Sequence, residues 1–119
     1  MTSGYTTAQS VASNVDARLL GEWLIDDGAT YTLTANTGTA SDGTTTESKV
    51  KLAIVDYDGE VFEVRSLTWN EGVLAWTYFV PSSNTTVSEQ TVRIHENRLE
   101  VQWENSTGAT GIDILNRVE

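Results

Sequence analysis

The sequence lacks cysteine entirely and is poor in basic residues. Without thiols the chain can form no disulfide, thiolate nucleophile or thiolate metal site, and its redox compartment cannot be inferred. Only 7 Lys and Arg stand against 17 Asp and Glu, and the resulting net charge of −10 repels phosphate backbones and anionic lipids. We therefore expect no nucleic-acid partner and no membrane partner, and we interpret the acidity as a source of solubility rather than as an acidic docking face.

Long apolar runs are also missing. No segment approaches the roughly 18 apolar residues of a transmembrane helix, and the N-terminal stretch is too polar for the core of a signal peptide. The expectation is a cytoplasmic protein, or a secreted one whose signal segment has been removed. The 119 residues, 39% of them hydrophobic, fit one domain over 19–119 after an N-terminal tail or helical turn over 1–18.

Turn signals recur at short, even intervals along the chain. Asp or Asn before Gly is the strongest local sign of a β-hairpin, because both residues tolerate a positive φ. Seven turn segments delimit eight strands, and the shortness of these connections excludes parallel crossovers. The turn segments are 26–28, 41–43, 57–59, 70–72, 81–84, 96–98 and 104–108.

Between the turns, apolar and polar residues alternate as they do in half-buried strands. Segment 73–80 differs, because it carries large apolar groups on both faces, which indicates a strand covered on both sides or an apolar stripe for a partner. Short sequential hairpins favour closure into a barrel over a two-sheet sandwich. The predicted fold is all-β, an eight-stranded antiparallel up-and-down β-barrel.

The first strand reads LLGEWLI, and the last ends in IDILNRVE. Gly-x-Trp on strand one, with an Arg near the end of the last strand, resembles the lipocalin-like (calycin) barrels. The short, cysteine-free chain looks closer to the small bacterial lipocalin-like domains than to the secreted lipocalins. The matching positions are Gly21, Trp23 and Arg117. The resemblance implies that the indole closes one end of the barrel and that the guanidinium packs across it, which is a structural role.

The aromatic residues suggest where a ligand would bind. An eight-stranded barrel is just wide enough to be filled by side chains or to hold one small ligand. If a cavity exists, it opens opposite Trp23, and the ligand is a flat or aliphatic neutral molecule anchored by tyrosine hydroxyls. The alternative is that these side chains are plain core. The inner-face candidates are Tyr31, Leu33, Leu52, Phe62, Val64, Trp76, Tyr78 and Trp103.

No pattern indicates catalysis, a cofactor or a metal. His95 is the only histidine, and it has no neighbouring ligand motif, so we expect it to be exposed and structurally neutral. Several acidic residues could offer oxygen ligands, but they follow no calcium-loop spacing and are interpreted as turn residues. They are Asp26, Asp27, Asp56 and Asp58.

Two pairs of charged residues are predicted to share a strand face, one pair spaced two residues apart and the other four. Glu63 shares a face with Arg65, and Glu89 shares its face with Arg93. In a small enzyme such groups could orient or protonate a substrate. The interpretation we prefer is a solvated ladder of ion pairs, because the faces alternate with apolar ones.

Three classes of function follow from these observations. The leading one is a module that binds a small, mostly apolar molecule inside the barrel. The second is a structural or protein-interaction domain with a filled core, in which segment 73–80 could form a homodimer face. The least favoured is a small barrel enzyme of the cyclase or isomerase type, acting by shape.

Overall fold

A computed structural model describes residues 15–39 and 45–118 of the chain. The described residues form a short 3-10 turn over Ala17–Leu19 and eight strands. The strands are β1 (Gly21–Ile25), β2 (Thr30–Thr39), β3 (Thr45–Val55), β4 (Val61–Asn70), β5 (Val73–Val80), β6 (Thr85–Ile94), β7 (Arg98–Asn105) and β8 (Thr110–Arg117).

Each strand pairs antiparallel with the next, and β8 returns to pair with β1, so the sheet is a closed barrel in sequence order. The last seam contains three residue pairs, Trp23 with Arg117, Leu24 with Asn116 and Ile25 with Leu115. The predicted all-β, up-and-down, eight-stranded barrel is confirmed. The predicted turn at 41–43 and most of the predicted N-terminal tail lie outside the described residues.

The meander places alternate turns at opposite ends of the barrel. The connections 26–29, 56–60, 81–84 and 106–109 gather at one end, which we call the far end. The other end, which we call the plugged end, contains the 3-10 turn, where Leu19 is fully buried, together with the start of β1 and the end of β8. In the described part of the chain, no helix has both the length and the apolar character needed to cross a lipid bilayer.

The plugged end explains the Gly-x-Trp pattern physically. Trp23 is fully buried, and its indole N–H donates to the carbonyl of Leu19 at 2.9 Å. The guanidinium carbon of Arg117 lies 4.2 Å from the centre of the indole, in cation–π geometry. Gly21 has a φ of +125°, and a Cβ there would lie 2.6 Å from Nη1 of Arg117. Only glycine therefore leaves room for the arginine.

Three backbone carbonyls fix the orientation of Arg117. Its Nε donates to Glu96 at 2.7 Å, its Nη1 donates to Leu20 at 2.8 Å, and its Nη2 donates to Arg18. These acceptors come from the 3-10 turn region and from the β6–β7 connection, so one side chain joins three parts of the chain. The ring contact and the bonds to backbone carbonyls are those that the sequence resemblance implies.

Candidate functional site

The inner face of the barrel holds all the side chains that were predicted to line a cavity. Seven of them are buried, and Trp103 is half-buried. Trp103 pairs with Gly111 on β8, where a Cβ would lie 2.8 Å from the indole, so the ring packs directly over bare backbone. The buried seven are Tyr31, Leu33, Leu52, Phe62, Val64, Trp76 and Tyr78.

Two aromatic contacts organise this inner face. The rings of Phe62 and Tyr78 are stacked, with centroids 5.2 Å apart and planes 2° from parallel. Tyr31 meets Trp76 edge to face, with centroids 6.1 Å apart. Both geometries are favourable for aromatic pairs and hold the rings in fixed positions.

A carboxylate lies among these rings. Glu89 is on β6, where it pairs with Trp76 on one side and Trp103 on the other, and only 3% of its surface is exposed. The sequence interpretation of Glu89 as a solvated partner of Arg93 is therefore wrong. A charged residue this deeply buried is rare, and it marks the inner face as more than plain apolar core.

A β-bulge explains the error. The pairing of β6 with β7 shifts between Thr91 and Arg93, so the strand faces exchange parity at that point. Glu89 and Thr91 point inward, whereas Arg93 is exposed and lies 3.7 Å from a carboxylate oxygen of Glu100. Simple alternation places Glu89 and Arg93 on one face, and the bulge separates them.

The two oxygens of Glu89 have different surroundings. Oε1 accepts hydrogen bonds from the hydroxyl of Tyr31 at 2.8 Å and from the indole N–H of Trp76 at 2.7 Å. Oε2 is buried and has no hydrogen-bond partner within the described part of the chain. Buried polar atoms are nearly always paired, so an orphaned carboxylate oxygen requires an explanation.

Burial raises the pKa of the Glu89 carboxyl to about 7. The hydrogen bonds from Tyr31 and Trp76 oppose this shift, whereas the negative charges of Asp113 and Asp27 add to it. Burial, followed by the charge of Glu89, also raises the pKa of Tyr31 and Tyr78, so both hydroxyls remain protonated donors. Glu89 therefore exchanges its proton near neutral pH, with two phenols beside it.

The charged groups that shift the pKa of Glu89 are acidic. Asp113 is half-buried on β8, and burial raises the pKa of its carboxyl, with further upward contributions from Asp27 and Asp26 in the first turn of the far end. A hydrogen bond from the indole of Trp103 acts in the opposite direction. Acidic side chains of β8 and of the β1–β2 turn therefore act electrostatically on this site.

A scan against protein-family models and a search of the curated proteins both find no match to this chain. The barrel architecture thus stands on the strand order and register alone, which agree with a calycin-like fold. Function has to be argued from the inner face itself.

The other charged candidates lie at the surface. His95 is exposed at the end of β6, as predicted. Arg65 donates to Glu63 at 2.5 Å, an exposed pair in keeping with the expected solvated ladder, and the guanidinium also covers the ring of Phe79 at 4.4 Å. We assign no binding role to these side chains, because exposed pairs stabilise little and enclose no space.

Acidic side chains in the far-end turns accept hydrogen bonds from backbone N–H groups. Asp56 accepts from the N–H of Tyr57, Asp58 accepts from the N–H of Glu60, and Asp27 accepts from the N–H of Ala29. Carboxylate oxygens of Asp56, Asp58 and Glu60 lie within 4.8 Å of one another. Their hydrogen bonds fit the predicted role as turn residues.

A groove of about 360 Å³ lies on the outer face of β4–β7. Ala75 and Thr77 contribute to it from segment 73–80, whose outward side chains are half-buried rather than fully covered. Trp76, Glu89 and Trp103 also contribute to its lining, although the strand register directs their side chains to the inner face. The outward lining residues are Ser66, Thr68, Ala75, Thr77, Ser88, Gln90, Gln102 and Glu104.

Proposed function

We propose that the barrel is a binding module for a small, mostly apolar molecule that enters from the far end and contacts the inner face around Glu89. The observation that carries this proposal is the buried, unpartnered Oε2 of Glu89. An unsatisfied buried carboxylate oxygen costs folding free energy, and such costs are typically retained where the group serves a ligand.

The surrounding chemistry defines the body of the ligand. Tyr31, Trp76 and Tyr78 present aromatic surface beside the carboxyl group, and ligand sites typically combine an apolar wall with a few fixed polar groups. The acidic residues of the far end disfavour an anion. The tyrosine hydroxyls were expected to anchor a neutral ligand, but the carboxyl group of Glu89 lies beside them. Because a carboxylate accepts hydrogen bonds, the ligand must also carry a hydrogen-bond donor.

We further propose that the chain is a member of the lipocalin-like (calycin) family. Support comes from the plugged end, where Gly21, Trp23 and Arg117 have the mutual geometry that the resemblance implies. The closed up-and-down order of eight strands agrees with it. The aromatic inner face then corresponds to the ligand-binding interior of such barrels.

A tryptophan-fluorescence titration with a neutral hydrophobic probe such as N-phenylnaphthylamine tests the binding proposal. Trp76 and Trp103 flank Glu89 in the sheet, so we expect saturable quenching at micromolar probe that diminishes in Trp76→Phe and in Trp103→Phe. Phenylalanine keeps the aromatic bulk, and circular dichroism verifies that each variant is folded.

Trp69→Phe is the matched control, because the substitution removes the same chromophore from a half-buried position on β4. Trp69 pairs with Leu74, toward the plugged end, and not with either strand neighbour of Glu89. Quenching should persist in that variant. Saturable quenching that survives both inner-face substitutions would place the site elsewhere. No saturable binding of any probe would instead favour an interaction domain with a filled core, and the solution mass would then report whether the chain dimerises.

A further inference from the structure

The unpartnered oxygen of Glu89 indicates what kind of polar group a ligand must carry. Oε1 accepts from both Tyr31 and Trp76, whereas Oε2 is buried beside it and has no donor among the described residues. An ionised carboxylate is only an acceptor, so its missing partner is an N–H or O–H group. A ligand that offers only carbonyl or ether oxygens leaves the ionised carboxylate unsatisfied.

Among the described residues, no positive charge is found to offset that of Glu89. The charged groups that influence its carboxyl are Asp113 on β8 and Asp27 in the β1–β2 turn, and both are acidic. The remaining titratable groups beside it are Tyr31 on β2 and Tyr78 on β5, which stay neutral. Within the part of the chain that the structure describes, this buried anion is therefore surrounded by other anions and neutral phenols, and such a site is complementary to a cation.

Aromatic rings around the carboxylate favour the same ligand. Tyr31, Trp76 and Tyr78 are buried together on the inner face, and the faces of such rings attract ammonium groups. At the far end, Asp26, Asp27 and Asp113 raise the local concentration of cations near the entrance. Aromatic rings and acidic side chains thus both act on the site around Glu89.

Resting on the proposed function, we propose that the ligand is a small organic amine with an apolar body, whose ammonium N–H donates to Oε2 of Glu89. An alcohol of the same shape could donate to Oε2 but would leave the negative charge unpaired. A charge-assisted hydrogen bond is about twice as strong as a neutral one, so the amine is the better match. An isosteric carboxylate is repelled by the acidic groups.

Three probes with the same phenyl body test this assignment: phenethylamine, phenethyl alcohol and phenylacetate. Their dissociation constants are measured by isothermal titration calorimetry on the full chain at about pH 8.5 and about pH 5.5, where the amine is protonated throughout. With a carboxyl pKa of about 7, Glu89 is almost fully ionised at the higher pH and only about 3% ionised at the lower.

Because apparent affinity scales with the fraction of the competent form, the amine should bind tenfold or more weakly at the lower pH, up to about 30-fold. The alcohol should bind less tightly than the amine at the higher pH and vary little between the two. Phenylacetate should show no saturable binding. These comparisons use the wild-type protein and do not depend on the folding of a variant.

Glu89→Gln keeps the shape of the side chain and removes its charge. In this variant we expect amine affinity at about pH 8.5 to fall tenfold or more and to lose its pH dependence, while the alcohol is retained. Glu104→Gln is the matched control, because Glu104 lies on the exposed outer face of β7 and its substitution changes the net charge equally. Amine binding to the control should be unchanged.

The outcomes separate this inference from the proposed function. Alcohol binding as tight as amine binding overturns the assignment of an amine but leaves a ligand-binding interior. Amine binding unaffected by Glu89→Gln places the ammonium on the acidic far end and also overturns the assignment. If neither probe binds and hydrophobic probes do not quench Trp76, the proposed function fails as well.

Discussion

Glu89→Gln should change how the stability of the protein depends on pH. In the folded protein the carboxyl has a pKa of about 7, against an ordinary value of 4.5. The folded state therefore holds the proton more tightly than the unfolded chain does. Stability falls as the pH rises through the interval between these two values and becomes constant above about pH 7. The substitution removes this dependence.

The magnitude follows from the size of the pKa shift. A difference of about 2.5 units at about 1.4 kcal/mol per unit gives roughly 3 kcal/mol between acidic and mildly alkaline pH. Solvent screening reduces this free-energy difference little, because Glu89 is only 3% exposed. Asp113, whose pKa is also raised, contributes in the same direction in wild type and variant alike, so the difference between them isolates Glu89.

Urea unfolding followed by tryptophan fluorescence, at pH values from about 5 to about 8, measures the effect. The free energy of unfolding of wild type should decline relative to that of Glu89→Gln by about 2 to 3 kcal/mol over this range. The Glu104→Gln control should run parallel to wild type. Parallel curves for wild type and Glu89→Gln would refute the reasoning, because they would mean that the carboxyl titrates normally in the folded protein.

Two further predictions concern the plugged end. Trp23→Ala should lose about 3–5 kcal/mol of stability in urea unfolding, because it empties a fully buried indole site and removes the surface under Arg117; a loss below about 1 kcal/mol would contradict the plug. Gly21→Ala should lower the melting temperature more than Gly59→Ala. Both glycines have positive φ, but a Cβ meets Arg117 at position 21 and meets open space at position 59. Equal decreases in melting temperature for the two variants would show that backbone strain alone, and not the contact with Arg117, destabilises Gly21→Ala.

Much of the fold could be predicted because turn chemistry and alternation are local. Asp-Gly and Asn-Glu-Gly segments mark the hairpins at 26–28, 57–59 and 70–72, and parity alone places Tyr31 and Leu33 inside the barrel. The Trp23–Arg117 pair required the resemblance, because the two residues are far apart in sequence and meet only when the ring of strands closes.

The central group of the candidate site could not be found by the same means. Between Thr85 and Ile94, polar residues dominate, so alternation gives no clear apolar face. The bulge after Thr91 then changes the parity of the strand, and nothing in the local sequence announces it. Val87 is the one residue that could have indicated the burial of Glu89. It is apolar and faces inward, and Glu89 lies two residues further along on the same face.

Closure of β8 on β1 also has a consequence for biosynthesis. The seam joins residues about as distant in sequence as the described chain allows, so the ring cannot be completed until the last strand has been synthesised. Until then, both β1 and β7 present unpaired backbone edges, which are templates for pairing with other chains. Premature termination within β8 would leave both edges exposed permanently, so the eight residues of β8 protect the finished chain from such association.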